Sequence, residues 1–462
     1  MIRIFHHYVS KMAFMLLLME VLLLLTAALA SAPWWLPGPG RPELPGLPYL
    51  PALGFALVLV LCMGALGMYR QLPTREHLGG TLLRILPSFL LGFGLVSALA
   101  LLAPDSQLGR LGSAVFVLGG AAVLLARLVV LTSAGSRMLE KRLMIIGDGA
   151  TARECVELAG AGGGFQQFRV VGCVPVGGEQ RCVAPALVLP AELPLLLLAR
   201  RYAADEIIVS VSDRRNGAFP VRQLLECAVG GFRVTDAASF FEREACQIRI
   251  DSLQPSYLIF GGGFDQSPLR AMVKRGFDLL ASGAIALAAL PVMLLAALAI
   301  RLEDGGPVFY QQERVGRDNR LFKVLKFRSM RIDAEGDGQP RWATQDDPRV
   351  TMVGHWLRKL RIDELPQMLN VLRGDMSFVG PRPERAYFVE QLGREIAYYT
   401  MRHGIKPGIT GLAQVRYSYG ASVDDALRKL QYDLYYVKNN SLFLDVLILI
   451  ETVQVVLLGK GR

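Results

Sequence analysis

Four stretches in the first third of the chain, residues 12–32, 50–69, 82–103 and 111–132, are apolar on every face instead of alternating with polar positions. Each has the ~20-residue length a helix needs to cross a bilayer, and the connections between them are broken by Pro and Gly. This pattern predicts an integral membrane α bundle of four spans over residues 1–136. The first stretch is too long for a cleaved signal peptide and lacks the small-residue cleavage pattern. Glu20 and Arg127 fall inside the apolar stretches, where an ionisable group is a functional candidate by default; the plainer reading is that they snorkel or pair within the bundle.

The pattern changes after residue 136. Short β-branched runs at 142–147, 168–174, 206–210 and 232–235 alternate with helical stretches at 150–159, 191–203 and 219–229, a parallel, doubly wound series. Residues 137–266 therefore read as a Rossmann-like α/β module. The turn after its first strand, Gly147-Asp148-Gly149-Ala150-Thr151-Ala152, is a G-x-G-x-x-A. A working dinucleotide site also wants an acid at the end of the second strand. That strand instead runs into Cys173-Val174-Pro175, which favours a degenerate, structural or regulatory module.

Residues 267–462 read as an α-rich catalytic domain. Its first helix, 277–300, is apolar and interrupted by Pro291, with Arg270, Lys274 and Arg275 before it and Arg301 after. Pro291 removes a backbone donor and kinks the helix. Basic residues at both ends suit a re-entrant membrane helix, about 275–301, that dips in and returns to the same face. The last apolar stretch, 442–458, carries Asp445, Glu451 and Gln454 and reads as an interfacial amphipathic helix.

Charge fixes the sidedness. Arg3 and Lys11, then Arg70, Arg75 and Arg84, then Arg137, Lys141 and Arg142 flank the spans on one side; the opposite loops hold only Arg41 and Arg110. The positive-inside rule places both ends of the bundle, and the rest of the chain after it, in the cytoplasm. The chain carries 50 Lys+Arg against 40 Asp+Glu, and from residue 268 onward 28 against 21. That excess suits an anionic partner such as phosphates or lipid headgroups. Hydrophobic residues make up 52% of the chain, which excludes disorder and argues against a wholly soluble protein. The six cysteines form no C-x-x-C pair and the five histidines no zinc motif, as expected of a reducing compartment and a non-zinc enzyme.

The densest chemistry lies at Arg361-Ile362-Asp363-Glu364-Leu365-Pro366-Gln367. Leu365, Met368, Leu369 and Leu372 recur at helical spacing, so Asp363 is expected as an N-cap with Pro366 in the first turn. Asp363 as a cap and Glu364 as a solvated acid is the bland reading. Cations at Lys326-Phe327-Arg328, Arg358-Lys359 and Pro381-Arg382-Pro383 point instead to a carboxylate pair that handles a phosphate or diphosphate.

These residues carry a resemblance. Lys274-Arg275-x-x-Asp278, Gly306-Pro307-Val308-Phe309-Tyr310, Arg314-Val315-Gly316, Lys326-Phe327-Arg328-Ser329-Met330, Asp333-Ala334-Glu335 and Asp347-Pro348-Arg349-Val350-Thr351 stand in order. They precede Asp363-Glu364-Leu365-Pro366-Gln367, Asn370-Val371-Leu372-Arg373-Gly374-Asp375-Met376-Ser377, Val379-Gly380-Pro381-Arg382-Pro383-Glu384 and the run from Pro407 to Val415. Over nearly all of 270–460 the chain resembles the bacterial polyprenyl-phosphate sugar-1-phosphate transferases, the monotopic phosphoglycosyl transferases. The opening residues 2–11 and Arg361-Ile362-Asp363 resemble the exopolysaccharide branch associated with PEP-CTERM loci. Met352 stands where many relatives have arginine, so a phosphate contact from that position is not expected.

The resemblance implies transfer of a sugar-1-phosphate from a UDP-sugar to undecaprenyl phosphate, giving UMP. Asp363 is the implied nucleophile of a covalent intermediate, Glu364 the implied ligand of Mg²⁺, and Lys326, Arg328, Arg358 and Arg382 the implied phosphate contacts. It further implies the bacterial inner membrane with a cytoplasmic active site, contact with membrane lipid, a homodimer, and no nucleic-acid partner. Two other functions fit less well. A nicotinamide-dependent epimerase would need a ribose-binding acid and a Tyr-x-x-x-Lys pair in 140–265, and that region has neither. A non-enzymatic scaffold or regulator of polysaccharide assembly would not need Asp363-Glu364 or Pro381-Arg382-Pro383.

Overall fold

The computed structural model describes residues 2–4, 7–30, 50–69, 78–102, 108–134, 140–160, 167–177, 180–190, 192–211, 219–250, 262–264, 267–332, 334, 347–417, 420 and 422–457. The protein is helix-rich and divides into two compact units, one reaching to Ala245 and the other running from Cys246 and taking in His7.

Two short strands, β1 (Ile2–Ile4) and β2 (His7–Val9), pair at the start of the chain. Helices Lys11–Ala30, Leu50–Ala65, Leu78–Leu102 and Leu108–Ala134 then occupy the four apolar stretches. They pack around Leu24, Phe55, Leu59, Met63, Phe89 and Val123. Leu18, Leu57, Leu86, Leu95 and Val129 point outward and are exposed. By length and composition, Lys11–Ala30 and Pro268–Asp304 are the two helices apolar and long enough to cross a membrane among the described residues. Glu20 and Arg127 pair inside the bundle: Arg127 Nε and Nη2 donate to the Glu20 carboxylate at 2.6 and 3.2 Å. Tyr69 Oη donates to the same carboxylate at 2.6 Å and Arg127 Nη1 to the Met68 carbonyl.

Strands β3 (Glu140–Ile146), β4 (Gln167–Val174), β5 (Glu206–Val209) and β6 (Arg233–Asp236) form a parallel sheet in the order β4-β3-β5-β6. Both faces of β3 are buried, Met144 and Ile146 on one side and Leu143 and Ile145 on the other, which explains its unbroken apolar run. Gly147 ends β3 at φ +115, and a Cβ there would lie 2.6 Å from Ser210 Oγ, so the turn requires glycine. Asp148 is buried and paired with Arg181 at 3.1 Å.

In the second unit, helix Pro268–Asp304 is about 55 Å long at 1.5 Å per residue. Pro291 lies inside it, and Gly305, left-handed at φ +69, ends it. Near its start Asp278 accepts from Ser377 Oγ and the Phe378 N–H, both at 3.0 Å. Lys274 there pairs with Asp445 at 2.7 Å. Near its end Ala296 and Ile300 pack with Phe327 and Leu357. Between these anchors Leu280, Leu287, Leu290 and Leu294 are exposed.

A hairpin, β7 (Phe309–Val315) with β8 (Leu321–Phe327), comes next. Beyond it lie helices Met352–Lys359, Gln367–Arg373, Ala386–Glu395, Leu412–Arg416, Val423–Asn439 and Leu442–Leu457, and a parallel pair β9 (Ser377–Val379) and β10 (Gly408–Thr410). Ile248, Phe378, Val379, Leu434, Tyr435 and Ile448 belong to one core. Helix Leu442–Leu457 turns Asp445 and Gln454 inward and leaves Val446 and Val453 exposed. None of the six cysteines forms a disulfide.

Candidate active site

Helix Met352–Lys359 begins at Thr351, whose Oγ1 accepts the Gly354 N–H at 2.9 Å. Arg361 then adopts the left-handed region, φ +58, and redirects the chain into a single 3₁₀ turn, Ile362–Glu364. Ile362 packs against the cluster of Phe327 and Leu357. The next helix starts after Pro366 without a side-chain cap. This corrects the expected N-cap role of Asp363, which sits in the middle of the 3₁₀ turn and caps nothing. Neither acid is a solvated first-turn residue: Asp363 is 8% exposed and the Glu364 side chain 12%.

Glu364 Oε1 accepts from Lys326 Nζ at 3.0 Å and from Arg382 Nη2 at 3.4 Å, and Arg361 Nη1 lies 3.8 Å from Oε2. Three elements thus converge: β8 brings Lys326, the 3₁₀ turn the acids, and the loop after β9 brings Arg382. Burial alone would raise the Glu364 carboxyl, but Lys326, Arg382 and Arg361 outweigh it and hold it well below the usual carboxylate range. Asp363 goes the other way. Burial, reinforced by the Glu364 charge, pushes its carboxyl up to about 6 against the pull of Lys326, Arg361 and Arg358.

Arg358 is half-buried one turn before the acids and also acts on Asp347. Asp347 is gripped by Arg349, Nε at 2.8 Å and Nη2 at 2.6 Å, and the hydrogen bonds from Arg349 hold its carboxyl down at about 2. Arg328 is not brought to the pair. It leaves β8 just past the strand's end and bonds Asp304, at the end of the long helix.

Residues given no site role by the sequence support these groups. Arg402 Nη2 donates to the Arg382 carbonyl at 2.9 Å and lies 2.7 Å from buried Asp433. Arg314 reaches the Pro383 carbonyl at 3.2 Å, and the Val315 N–H donates to the Glu384 carbonyl. The loop carrying Arg382 is therefore held from both sides. Asn370, fully buried, joins its helix to β8.

Chemically, the arrangement offers a partly protonatable carboxyl beside a permanently ionised one, ringed by Lys326, Arg358, Arg361 and Arg382. It suits binding of a phosphate or diphosphate and attack by a carboxylate. Among the described residues no group of three or more His, Cys, Asp or Glu could hold a metal alone. A carboxylate pair is nevertheless the donor set of a Mg²⁺ site that takes its other ligands from water and substrate phosphates.

The family model described as bacterial sugar transferase matches residues 269–459, which contain every one of these groups. The chain is 44% identical over 263 residues to a UDP-N-acetylgalactosamine-undecaprenyl-phosphate N-acetylgalactosaminephosphotransferase of Aeromonas hydrophila, covering 57% of this chain and 61% of that one. It is 42% identical over 189 residues to the UDP-glucose:undecaprenyl-phosphate glucose-1-phosphate transferase of Escherichia coli (strain K12), covering 40% of each. The match thus spans less than two thirds of both relatives. It covers 89% of the exopolysaccharide production protein ExoY of Rhizobium meliloti (strain 1021) at 38% identity over 208 residues, or 42% of this chain. The chain belongs to the bacterial sugar transferase family.

Proposed function

We propose that the protein transfers a sugar-1-phosphate from a UDP-sugar to undecaprenyl phosphate, as the names of its relatives in Aeromonas and Escherichia describe for those proteins. The observation that carries this reading is the split between the two carboxyls: Asp363 raised and buried, Glu364 ionised and held by Lys326 and Arg382. An Asp363 carboxylate oxygen attacks the sugar-bearing phosphorus of the UDP-sugar. The bond from that phosphorus to the bridging oxygen breaks, and UMP leaves with the bridging oxygen. An oxygen of undecaprenyl phosphate then attacks the same phosphorus, the bond to Asp363 breaks, and the carboxylate is restored. Dividing the transfer into two displacements is what a carboxylate nucleophile contributes.

Lys326, Arg358, Arg361 and Arg382 stabilise the charge spread over the phosphoryl oxygens. Glu364 would hold Mg²⁺, with Asp363 beside it. When bound, that ion neutralises diphosphate charge.

The long helix is read as re-entrant. Its start is anchored by Asp278 and Lys274, its end by Ala296 and Ile300, and both anchors are on the same compact unit. A helix that crossed the bilayer would carry those two ends to opposite faces. The four N-terminal apolar helices are read as spans, with the transferase on the cytoplasmic face of the inner membrane, where UDP-sugars are made. The test is to incubate membranes containing the protein with a panel of UDP-sugars and undecaprenyl phosphate. Release of UMP with one of them supports the reading; release with none refutes it.

A further inference from the structure

Glu364 and Lys326 meet across two elements with no covalent reason to stay in register. Helix Gln367–Arg373, which comes after the acids, Leu365 and Pro366, lies on β8 through Val371, Met376 and Val324. Such apolar contact is non-directional and holds the two together without fixing how far one slides along the other. Asn370 supplies the missing direction. Its Oδ1 accepts the Leu325 N–H at 2.9 Å and its Nδ2 donates to the Lys323 carbonyl at 2.8 Å. These two groups lie on one edge of β8, and β7 pairs along the other. A carboxamide, one acceptor and one donor, fits that edge as a single rung of a third strand would. Its own carbonyl accepts from Gly374 and Asp375 as the helix ends. A one-residue slip along β8 would turn Lys326 to the opposite face.

We propose that Asn370 is a positioning residue of the active site, acting through Lys326: its side chain sets the register that puts Lys326 Nζ on Glu364. This rests on the reading that Lys326 and Glu364 serve the transfer.

The experiment uses the full-length protein with Asn370→Leu, similar in volume and unable to bond, and Asn370→Asp, which keeps the acceptor for Leu325 and loses the donor to Lys323. Hydrogen exchange over β8 requires no activity. Asn370→Leu should speed exchange of the Leu325 amide at least about tenfold, and unchanged exchange overturns the register role. In UMP release, Asn370→Leu should lower kcat about a hundredfold and Asn370→Asp about tenfold, with KM for the UDP-sugar nearly unchanged. In a Lys326→Gln background, Asn370→Leu should cost no more than about threefold further, because both changes remove one contact. An equal loss in both backgrounds, or an Asn370→Asp protein of wild-type kcat, overturns the proposal. If Asn370→Leu does not fold, Asn370→Asp decides by its kcat and its exchange. A wild-type protein that releases no UMP refutes the transferase reading, while the exchange result still tests Asn370.

Discussion

Asp363 and Glu364 are consecutive in the chain, yet their carboxyls are driven in opposite directions. Glu364 points at Lys326 and Arg382 and stays ionised; Asp363 is buried beside that fixed negative charge and is pushed up to about 6. Environment therefore separates two chemically similar groups into one that titrates near 6 and one that stays ionised.

This split sets a pH dependence. If Asp363 attacks as proposed, it is protonated and inert below about 6, and above it the carboxylate forms and the rate reaches a plateau. UMP release in the first half-reaction, measured between about pH 5 and 8, should rise through a single ionisation near 6. Asp363→Asn should remove turnover by about a thousandfold or more, together with any label left by a radiolabelled UDP-sugar. Near-normal release from Asp363→Asn would exclude it as the nucleophile.

Topology gives a second prediction. With both ends of helix Pro268–Asp304 on one unit, cysteines at positions 268 and 320 should both resist a thiol reagent added outside intact cells. Labelling at 320 alone would make the helix a span. Pro291→Ala restores the backbone donor that proline lacks, favours a straight crossing, and should lower activity.

The buried pair of the N-terminal bundle predicts an asymmetry. Arg127 and Glu20 are 1% and 0% exposed. Glu20→Leu or Arg127→Leu alone leaves an uncompensated charge among apolar helices and should cost about 3–5 kcal/mol. The double Leu variant should recover much of that loss. Thermal melts of the purified variants in detergent would show it; equal destabilisation by single and double changes would contradict it.

The range of each interaction decides how legible it is in sequence. The apolar stretches and the strands of the parallel sheet are local patterns, and the structure puts helices and strands on them. The pairing of Glu20 with Arg127 is foreseeable because a bundle gives charges few alternatives. Asp363, Glu364, Lys326 and Arg382 are visible through their motifs. Arg328 looks equivalent to Lys326, two residues away, but β8 ends at Phe327 and the chain turns Arg328 to Asp304. The cap expected at Asp363 does not form because the left-handed turn at Arg361 has no signature in a non-glycine residue. Arg402, Asp433 and Asn370 act through contacts remote in the chain, and nothing near them in sequence announces a partner.

His7 is the most distant of these contacts and yields the last prediction. Its Nδ1 lies 2.7 Å from the hydroxyl of Tyr435, which is fully buried, and its ring packs against Tyr435 and Phe443. Burial, helped by Arg416, brings its pKa down to about 4, so the ring is neutral at pH 7. His403, bonded to Asn319 and buried beside Arg402, is likewise lowered to about 4. For a histidine lowered on folding, the unfolded chain binds the proton more readily between its usual pKa near 6.5 and 4. Stability is therefore full above about 6.5 and falls as pH drops through that window. His7→Ala should cost about 1–3 kcal/mol at pH 7 by removing its bond to the buried Tyr435 hydroxyl, and should also flatten the loss between pH 7 and 5. Chains truncated to begin at 246 and at 267 both lack His7, but only the second loses Ile248, which is 1% exposed and donates its N–H to the Gln431 carbonyl. The second should therefore melt lower than the first, while both keep measurable transferase activity. Equal melting temperatures for the two truncations would show that the Ile248 contact adds nothing to the stability of the transferase unit, and a His7→Ala protein with wild-type pH dependence would show the same for His7.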